Sequence, residues 1–273
     1  MLKIASRDNQ RLKFARRVRD GKEKDFIFVE GARLAEEVLR SNLPISDVLI
    51  TENFARSERG QAFLPSIEHL NFGEVSEKLF DSLSDTKNSQ GVILICKKPP
   101  TGKVFIEQSF STADKLPLVI LLHRINNPTN LGAIFRTCEA VNAAGVILSE
   151  NSADAFSPKS LRGAMGASLR LPLWTDANFF EVLNWARKNG LNSVCADVNA
   201  KKNYLEIDWR TPHLLIFGSE AHGLSAEERA AVDASLLIPM NNNVESLNLA
   251  VSCGVVLFEA RRQIAKIKVE PTT

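Results

Sequence analysis

The amino-acid sequence predicts an α/β protein in which a small α/β domain precedes a larger domain built on a parallel sheet. Short, continuous apolar runs alternate with helical patterns along most of the chain, as in parallel sheets whose two faces are covered by helices. Adjacent prolines and a glycine within residues 97–103 interrupt this alternation. We therefore predict a first domain over residues 1–98, a linker over 99–115 and a second domain over 116–273.

The first half begins with a basic segment and continues with short strands and helices. Residues 1–24 hold nine Lys or Arg and three acidic residues, and Leu12, Ala15 and Val18 are spaced as on one face of a helix. A basic helix suits contacts with phosphate, although such charge runs are more often only solvated. Three apolar runs predict strands: Phe26–Val29, Val48–Ile50 and Gly91–Cys96. Helical patterns cover Leu34–Leu39 and follow Ser76, a predicted N-cap.

The second half repeats the alternation of strand and helix more regularly. Six apolar runs predict strands: Leu118–Leu122, Gly145–Leu148, Leu171–Trp174, Ser193–Ala196, Leu214–Phe217 and Leu236–Ile238. Five patterns predict helices: Leu131–Val141, Ser160–Ser168, Phe179–Lys188, Ala226–Val232 and Leu247–Ile267. Ser225 with Glu228 three residues later predicts a capping box at the fourth of these helices.

The composition is that of an ordinary globular protein and excludes several functional classes. The chain has 273 residues, 44% hydrophobic and 24% charged, with a net charge of +2. It has no run long enough to cross a bilayer and no apolar core of a secretory signal. The four cysteines are far apart in the sequence, which favours reduced thiols in a cytosolic protein. The four histidines are scattered as well, and no pair of cysteines has metal-ligand spacing, so a metal site is not expected. Dinucleotide, phosphate-loop and nucleophile-elbow motifs are absent, so hydride transfer and nucleotide hydrolysis have no support.

Three polar loops, each directly after a predicted strand, are the candidate functional segments. Ligands of open α/β sheets bind at the carboxyl ends of the strands, where such loops lie. The first loop opens a helix at Asn127 and carries Asn130 and Arg136. The second runs over residues 218–224 and contains Glu220, and the third runs over residues 238–248.

Together these loops resemble the SpoU (TrmH-like) family of S-adenosylmethionine-dependent RNA ribose 2′-O-methyltransferases. The resemblance is carried by three motifs in this order: Asn130-x-Gly132-x-x-x-Arg136, Phe217-Gly218-x-Glu220-x-x-Gly223-Leu224, and Ile238-Pro239-Met240 followed by Glu245-Ser246-Leu247-Asn248. Residues 157–167 look like an intermediate segment of the family. Residues 26–40 and 83–91 look like the substrate-binding domain of its rRNA-modifying members.

The resemblance implies a SPOUT-type parallel-sheet domain with a C-terminal trefoil knot, preceded by an L30e-like domain that binds RNA. It also implies a cytoplasmic homodimer joined through the knotted domain, without membrane association. Residue by residue, it implies that the backbone at Gly218, Ile238 and Leu247 holds S-adenosylmethionine. The implied catalytic residues are Asn130, Arg136, Glu220, Ser246 and Asn248. No metal ion is implied at the site.

The implied chemistry is attack of a ribose 2′-hydroxyl on a sulfonium methyl group, a reaction that depends mainly on positioning. The family assigns removal of the hydroxyl proton to the residue matching Arg136, yet arginine stays protonated in proteins. We therefore interpret Arg136 as a clamp for the target phosphate that also stabilises the developing alkoxide. Glu220 would fix the neighbouring loop or Arg136, and Asn130 would orient Arg136 or the ribose. Ser246 and Asn248 would form hydrogen bonds to substrate and cofactor.

Three alternatives remain open at this point. The substrate could be tRNA rather than rRNA, although the domain before Pro99 favours rRNA by analogy. A catalytically silent RNA-binding assembly factor of the same fold would not need the intact polar residues of the three motifs. A methyltransferase of this architecture could also act on a base nitrogen, although the Ser246-Leu247-Asn248 loop favours ribose.

Overall fold

The computed structural model describes residues 2–87, 89–112, 115–242 and 244–264. Backbone contacts divide the chain into two compact units. Unit 1 contains the described residues up to Pro100 together with Asp154–Arg170, and unit 2 contains Thr101–Ala153 and the described residues from Leu171 onward.

Unit 1 is built on a five-stranded mixed sheet. Its strands are β1 (Leu2–Ile4), β2 (Phe26–Glu30), β3 (Ile45–Thr51), β4 (Phe72–Val75) and β5 (Val92–Lys97), in the order β1-β4-β3-β5-β2. β1, β4 and β3 are parallel, whereas β5 is antiparallel to both of its neighbours. Its first five helices are α1 (Gln10–Arg19), α2 (Ala32–Arg40), α3 (Glu52–Arg56), α4 (Glu58–Phe63) and α5 (Glu77–Asp81). The three predicted strands are confirmed, whereas the short β1 and β4 had no apolar run to predict them.

The basic start of the chain is only partly helical. The prediction placed one helix within residues 1–24, but β1 precedes α1, and Asn9 caps α1 by accepting the Arg11 N–H. Leu12, Ala15 and Val18 are buried, as predicted. Arg19 donates to the carbonyl oxygens of Ser82 and Leu83, so part of this positive charge has a structural role.

Asp154–Arg170, which lies between β7 (Ala143–Ser149) and β8 (Leu173–Ala177), belongs to unit 1 by its contacts. The sequence-based division placed it within residues 116–273. This segment contains α8 (Pro158–Ala164), whose Arg162 Nη2 lies 2.7 Å from the Asp85 carboxylate. Gly166 has a φ of 90°, and a Cβ there would lie 2.9 Å from Glu37 Cβ. A periodic pattern in one sequence carries no information about such a long-range contact.

Unit 2 is built on a six-stranded, fully parallel sheet. Its remaining strands are β6 (Leu116–Leu122), β9 (Asn192–Ala196), β10 (His213–Phe217) and β11 (Ala234–Leu236), and the order is β11-β9-β10-β6-β7-β8. Its helices are α6 (Lys103–Phe110), α7 (Pro128–Ala140), α9 (Phe179–Lys188), α10 (Ala226–Ala230) and α11 (Leu249–Ile264). The predicted parallel sheet is confirmed. The strand order reverses between β6 and β10, and such a switch point opens a crevice at the carboxyl ends of the strands.

Two boundaries differ from the prediction. The predicted linker contains α6, whose Ile106 is fully buried in the core of unit 2. Pro99 and Pro100 indicated a loop at the start of this segment, and the prediction extended that loop over the residues that form α6. The final helix begins at Leu249 rather than at Leu247, and its predicted end at Ile267 lies outside the described residues.

No helix in the described part of the chain is long and apolar enough to span a membrane. All four cysteines are free and buried. Burial raises the pKa of Cys96 to about 12, so this thiol stays protonated and unreactive at neutral pH.

Two histidines are buried in unit 2, and burial lowers the pKa of both. His123, directly after β6, places Nε2 3.0 Å from the Glu228 carboxylate, and His213 places Nδ1 2.7 Å from the Thr211 carbonyl oxygen. In both side chains desolvation is the largest influence, and it outweighs the acidic neighbours that raise the pKa. Neutral His123 must therefore donate from Nε2 to Glu228.

We expect the free energy of unfolding to fall as the pH is lowered below about 6.5. The unfolded chain binds protons at these histidines near the ordinary histidine pKa of about 6.5, whereas the folded chain binds them only at lower pH. Their contribution to stability is therefore complete above about pH 6.5 and is lost progressively until the folded pKa is passed. Chemical denaturation between about pH 7.5 and 5.5 measures this slope. His213→Gln should flatten it, and His69→Gln, at an exposed histidine, should leave it unchanged. If His213→Gln does not change how the free energy of unfolding depends on pH, the lowered pKa of His213 does not contribute to this dependence.

Candidate active site

A cavity of about 390 Å³ opens in unit 2 at the carboxyl ends of the central strands. Its volume lies in the range of about 300–1,000 Å³ that is typical of small-molecule sites. Apolar side chains at the end of β11 line the cavity together with polar side chains from the loops after β9 and β10 and before α11. The lining residues are Asn130, Ala196–Val198, Phe217–Glu220, Gly223, Leu236–Ile238, Met240, Ser246–Leu249 and Ser252. Seven of the eight predicted site residues are among them, and Arg136 is not.

The first loop enters α7 as the sequence predicts. Asn127 is the N-cap, and its side-chain oxygen accepts the N–H groups of Thr129 and Asn130. This cap fixes the first turn of α7, on which Asn130 projects into the cavity. The loop therefore has a structural capping residue and a separate residue that faces the cavity.

Asn130 joins the three predicted loops through its side-chain amide. Its Nδ2 donates to the Glu220 carboxylate, and its Oδ1 accepts a hydrogen bond of 3.2 Å from Asn248 Nδ2. A carboxylate only accepts hydrogen bonds, so Glu220 determines which end of the Asn130 amide faces it. Glu220, Asn130 and Asn248 thus form one ordered chain of hydrogen bonds at the cavity.

Asn248 caps the final helix. The predicted helix over Leu247–Ile267 had placed this residue inside it. Asn248 Oδ1 accepts the backbone N–H of Ala250 at 2.9 Å. Asparagine is a poor residue within helices but a preferred N-cap, which explains why α11 begins at Leu249, directly after Asn248. Its side chain therefore caps α11 with one atom and contacts Asn130 with the other.

Gly218 has no side chain, which lets the backbone of its own loop pack closely against it. A Cβ at Gly218 would lie 2.5 Å from the carbonyl carbon of Gly223. Gly223 N donates to Ser219 O at 2.9 Å, and its φ is 64°. The turn thus folds back against Gly218, and this close approach shapes the wall of the cavity.

We expect Gly218→Ala to destabilise the protein by about 1–3 kcal/mol. We also expect it to weaken binding of S-adenosylmethionine, the cofactor that the resemblance implies, by about tenfold or more. The added methyl group meets backbone atoms, so the turn must move. Thermal denaturation and isothermal titration calorimetry measure the two effects. Gly223→Ala is the matched control, because its Cβ meets nothing within 4 Å and only the left-handed backbone is strained. Equal loss of cofactor binding in both variants would show that the steric contact at Gly218 is not the cause.

Arg136 does not face the same region as Asn130. Six residues of helix separate them, which places the two side chains about 120° apart around the axis and about 9 Å apart along it. Arg136 is exposed on α7. The spacing in the motif therefore joins a residue in the cavity to one on the neighbouring protein surface.

A fourth loop of the site was missed by the sequence analysis. Residues Ala196–Val198 follow β9 and line the cavity. Asp197 is mostly buried and forms an ion pair of 2.9 Å with Arg229 Nη1. An acidic residue directly after a strand of a parallel sheet was the available signal, since the other three loops were recognised by the same rule.

The chemistry of the cavity fits a nucleoside-type cofactor that carries charged groups. Leu236, Ile238 and Leu247 supply apolar contact area, whereas the Asn248 amide and the acidic Asp197 supply polar partners. Polar groups placed among apolar contacts are the usual means of orienting such a ligand. Fold and site together define an enzyme domain of the open, parallel α/β class that carries a separate mixed domain.

Comparison with known proteins identifies the family. The model of the SpoU rRNA Methylase family matches residues 117–258, and the MRM3-like substrate binding domain matches residues 9–94. The first match covers more than half of the chain, which therefore belongs to the SpoU rRNA Methylase family. The chain is an RNA methyltransferase of this family, with S-adenosylmethionine as the methyl donor.

Individual relatives agree with this assignment. An uncharacterized tRNA/rRNA methyltransferase of Synechocystis is 34% identical over 190 residues, which are 69% of this chain and 66% of that protein. The 23S rRNA (guanosine(2553)-2′-O)-methyltransferase of Bacillus subtilis is 27% identical over 96% of this chain and 100% of its own length. The crystal structure of an AdoMet-bound rRNA methyltransferase from Sinorhizobium meliloti has a TM-score of 0.82 and 26% identity, covering 96% of this chain and 98% of that one.

Proposed function

We propose that the chain methylates a ribose 2′-hydroxyl of large-subunit ribosomal RNA. The observation that carries this proposal is the chain of hydrogen bonds from Glu220 through Asn130 to Asn248 at the wall of the cavity. The relative named for 23S rRNA matches 96% of this chain, including the substrate-binding domain. A tRNA substrate remains the second candidate, because the Synechocystis relative is named for either RNA. Since the relative named for 23S rRNA is bacterial, the cytoplasm is the proposed location.

The proposed roles of the site residues follow from their positions. Bound S-adenosylmethionine supplies a methyl group on a sulfonium centre. The backbone at Gly218, Ile238 and Leu247 holds this cofactor in the cavity. Asn130, fixed by Glu220, orients the ribose hydroxyl, and Ser246 and Asn248 supply further hydrogen bonds. Glu220 acts by holding the turn of residues 218–224 and the Asn130 amide, while Arg136 binds the target phosphate from the surface of α7.

We further propose a homodimer through the exposed apolar face of α11. Val251 and Phe258 are each more than half exposed, and they lie within about 20° of each other on one side of the helix. Exposed apolar side chains grouped on one face of a helix are typical of association surfaces. α11 packs on α7, where a Cβ on Gly254 would lie 3.9 Å from the Thr137 methyl group. Because Thr137 adjoins Arg136, dimerisation would place Arg136 beside the subunit boundary.

We expect Val251→Asp with Phe258→Asp to give a folded monomer that binds S-adenosylmethionine but methylates RNA at least tenfold more slowly. A charge at the centre of an apolar interface opposes association, whereas an exposed position tolerates it in the monomer. Sedimentation equilibrium measures the oligomeric state. Val104→Asp, at an exposed apolar residue of α6, should leave the dimer intact. A wild-type chain that sediments as a monomer would refute the dimer.

The experiment that tests the function is transfer of labelled methyl groups from S-adenosylmethionine to size-fractionated RNA that lacks modification, with Arg136→Ala as the control. We expect label in large rRNA, recovered as an alkali-resistant 2′-O-methylated dinucleotide. Label in tRNA would keep the chemistry and change the substrate. Cofactor binding without label in any free RNA calls for the same assay on assembling ribosomal particles. Absence of both cofactor binding and label would favour a silent RNA-binding factor.

A further inference from the structure

A second cavity, of about 520 Å³, lies in unit 2 on the other side of the turn formed by residues 219–223. It shares Ser219, Glu220 and Gly223 with the cofactor cavity, so this turn forms a common wall. Its other lining residues are Arg124, Asn126, Ala221, His222, Ser225 and Glu228. Most of these side chains are polar. Ser225 and Glu228 form the capping box of α10, and none of the six is a specified position of the three family motifs.

Arg124 is held in an unusual backbone conformation at this cavity. Its φ is 55°, in the left-handed region that a bulky residue rarely adopts. Its backbone N–H donates to Ser149 Oγ at 2.9 Å, which fixes the peptide after β6. Such strain persists where the surrounding structure determines it, and it is concentrated at functional positions.

A buried carboxylate fixes one edge of the Arg124 guanidinium. Glu228 Oε1 lies 3.3 Å from Arg124 Nη2 and 3.0 Å from His123 Nε2, and Glu228 Oε2 accepts the Ser225 N–H at 2.8 Å. Burial on its own would raise the pKa of Glu228, but the Ser225 N–H, His123 and Arg124 together hold it below its ordinary value. Glu228 is therefore ionised at neutral pH and anchors the arginine.

The rest of the guanidinium is available to a ligand. The Arg124 side chain is 53% exposed although one edge is anchored. A planar guanidinium presents paired donors that match two oxygens of a phosphate group. Glu220 and Glu228 also line the cavity, and these two negative charges disfavour a free phosphate or nucleotide with more than one charge. The singly charged phosphodiester of an RNA backbone fits this balance better.

We propose that this second cavity binds a nucleotide of the substrate RNA next to the methylated one, with its phosphodiester on Arg124. His222 and Asn126 lie at the same cavity and offer hydrogen-bonding groups to the sugar or base. This inference rests on the proposed function, because the shared wall matters only if the target ribose lies beside Glu220. Arg124 thus becomes a contact to the RNA backbone that is separate from Arg136.

Binding of a methyl-accepting rRNA fragment by the full-length protein tests this site. Arg124→Gly removes the guanidinium and suits the left-handed backbone, and Arg124→Lys keeps the charge but loses the planar pair of donors. We expect Arg124→Gly to weaken RNA binding about fivefold to tenfold at ~0.1 M salt and to reduce the salt slope by about one. Arg124→Lys should keep the slope with part of the affinity. S-adenosylmethionine binding should not change.

Arg210→Ala is the matched control, since Arg210 is an exposed arginine paired with Asp208 in the same unit and lies outside both cavities. Wild-type affinity and salt slope in Arg124→Gly, with an active wild-type enzyme, would overturn this proposal alone. If Arg124→Gly does not fold, loss of affinity in Arg124→Lys at unchanged salt slope still supports the site, and full affinity overturns it. A wild-type chain that neither binds nor methylates RNA would overturn the proposed function together with this site.

Discussion

Arg136→Ala is expected to lower kcat for RNA methylation by about 10²–10³, while S-adenosylmethionine binding stays within about twofold of wild type. The rate loss corresponds to about 3–4 kcal/mol, as for other groups that stabilise charge in a transition state. Cofactor binding is spared because Arg136 is exposed on α7 and outside the residues that line the cofactor cavity. Single-turnover methyl transfer and calorimetric cofactor binding measure the two quantities separately.

The Arg136→Lys variant tests whether the positive charge or the planar guanidinium of this residue is needed. Lysine keeps the positive charge but cannot bind two phosphate oxygens in one plane. We therefore expect about a tenfold lower kcat in Arg136→Lys than in wild type. Full turnover in this variant would defeat the idea that the planar guanidinium matters. An Arg136→Ala protein that loses cofactor binding as strongly as turnover would instead place Arg136 in the cofactor site.

The sequence indicates which loops meet at the cavity because these loops follow strands. The carboxyl ends of parallel strands lie at one edge of a sheet, so Asn130, Glu220 and Asn248 meet although they are far apart in the chain. Asp197 obeys the same rule but was missed, because it belongs to no motif that the resemblance supplied. The trefoil knot stays a prediction, because a pattern of strands and helices does not record how loops pass one another.

Several features of the structure depend on packing and helix geometry that a single sequence does not record. Gly218 has an ordinary sequence context, and only the folded turn shows that the backbone at Gly223 occupies the place of a side chain. Arg136 shares a motif with Asn130, yet helix geometry separates their side chains. Residues 154–170 carry a helical pattern like any other, and only their contacts in three dimensions assign them to unit 1.

The same substitution at two asparagines of α7, three residues apart, should have opposite effects. In the described part of the chain, the Asn127 side chain accepts hydrogen bonds from two backbone N–H groups and donates none. An aspartate there therefore caps α7 equally well and interacts favourably with the helix dipole. We expect Asn127→Asp to keep wild-type methylation and to change stability by less than about 1 kcal/mol. Thermal denaturation and the methylation assay measure both properties.

Asn130→Asp should instead lower kcat/KM for RNA by about 10²-fold or more. The Asn130 amide donates to the Glu220 carboxylate, and an aspartate would replace that donor with a second negative charge at hydrogen-bonding distance. Repulsion would then displace the turn of residues 218–224, and small displacements in a positioning site cost large factors in rate. Asn130→Asp with Glu220→Gln restores one donor between the two side chains and should recover part of the loss. If the double variant is no better than Asn130→Asp alone, the hydrogen bond between these residues does not position the site.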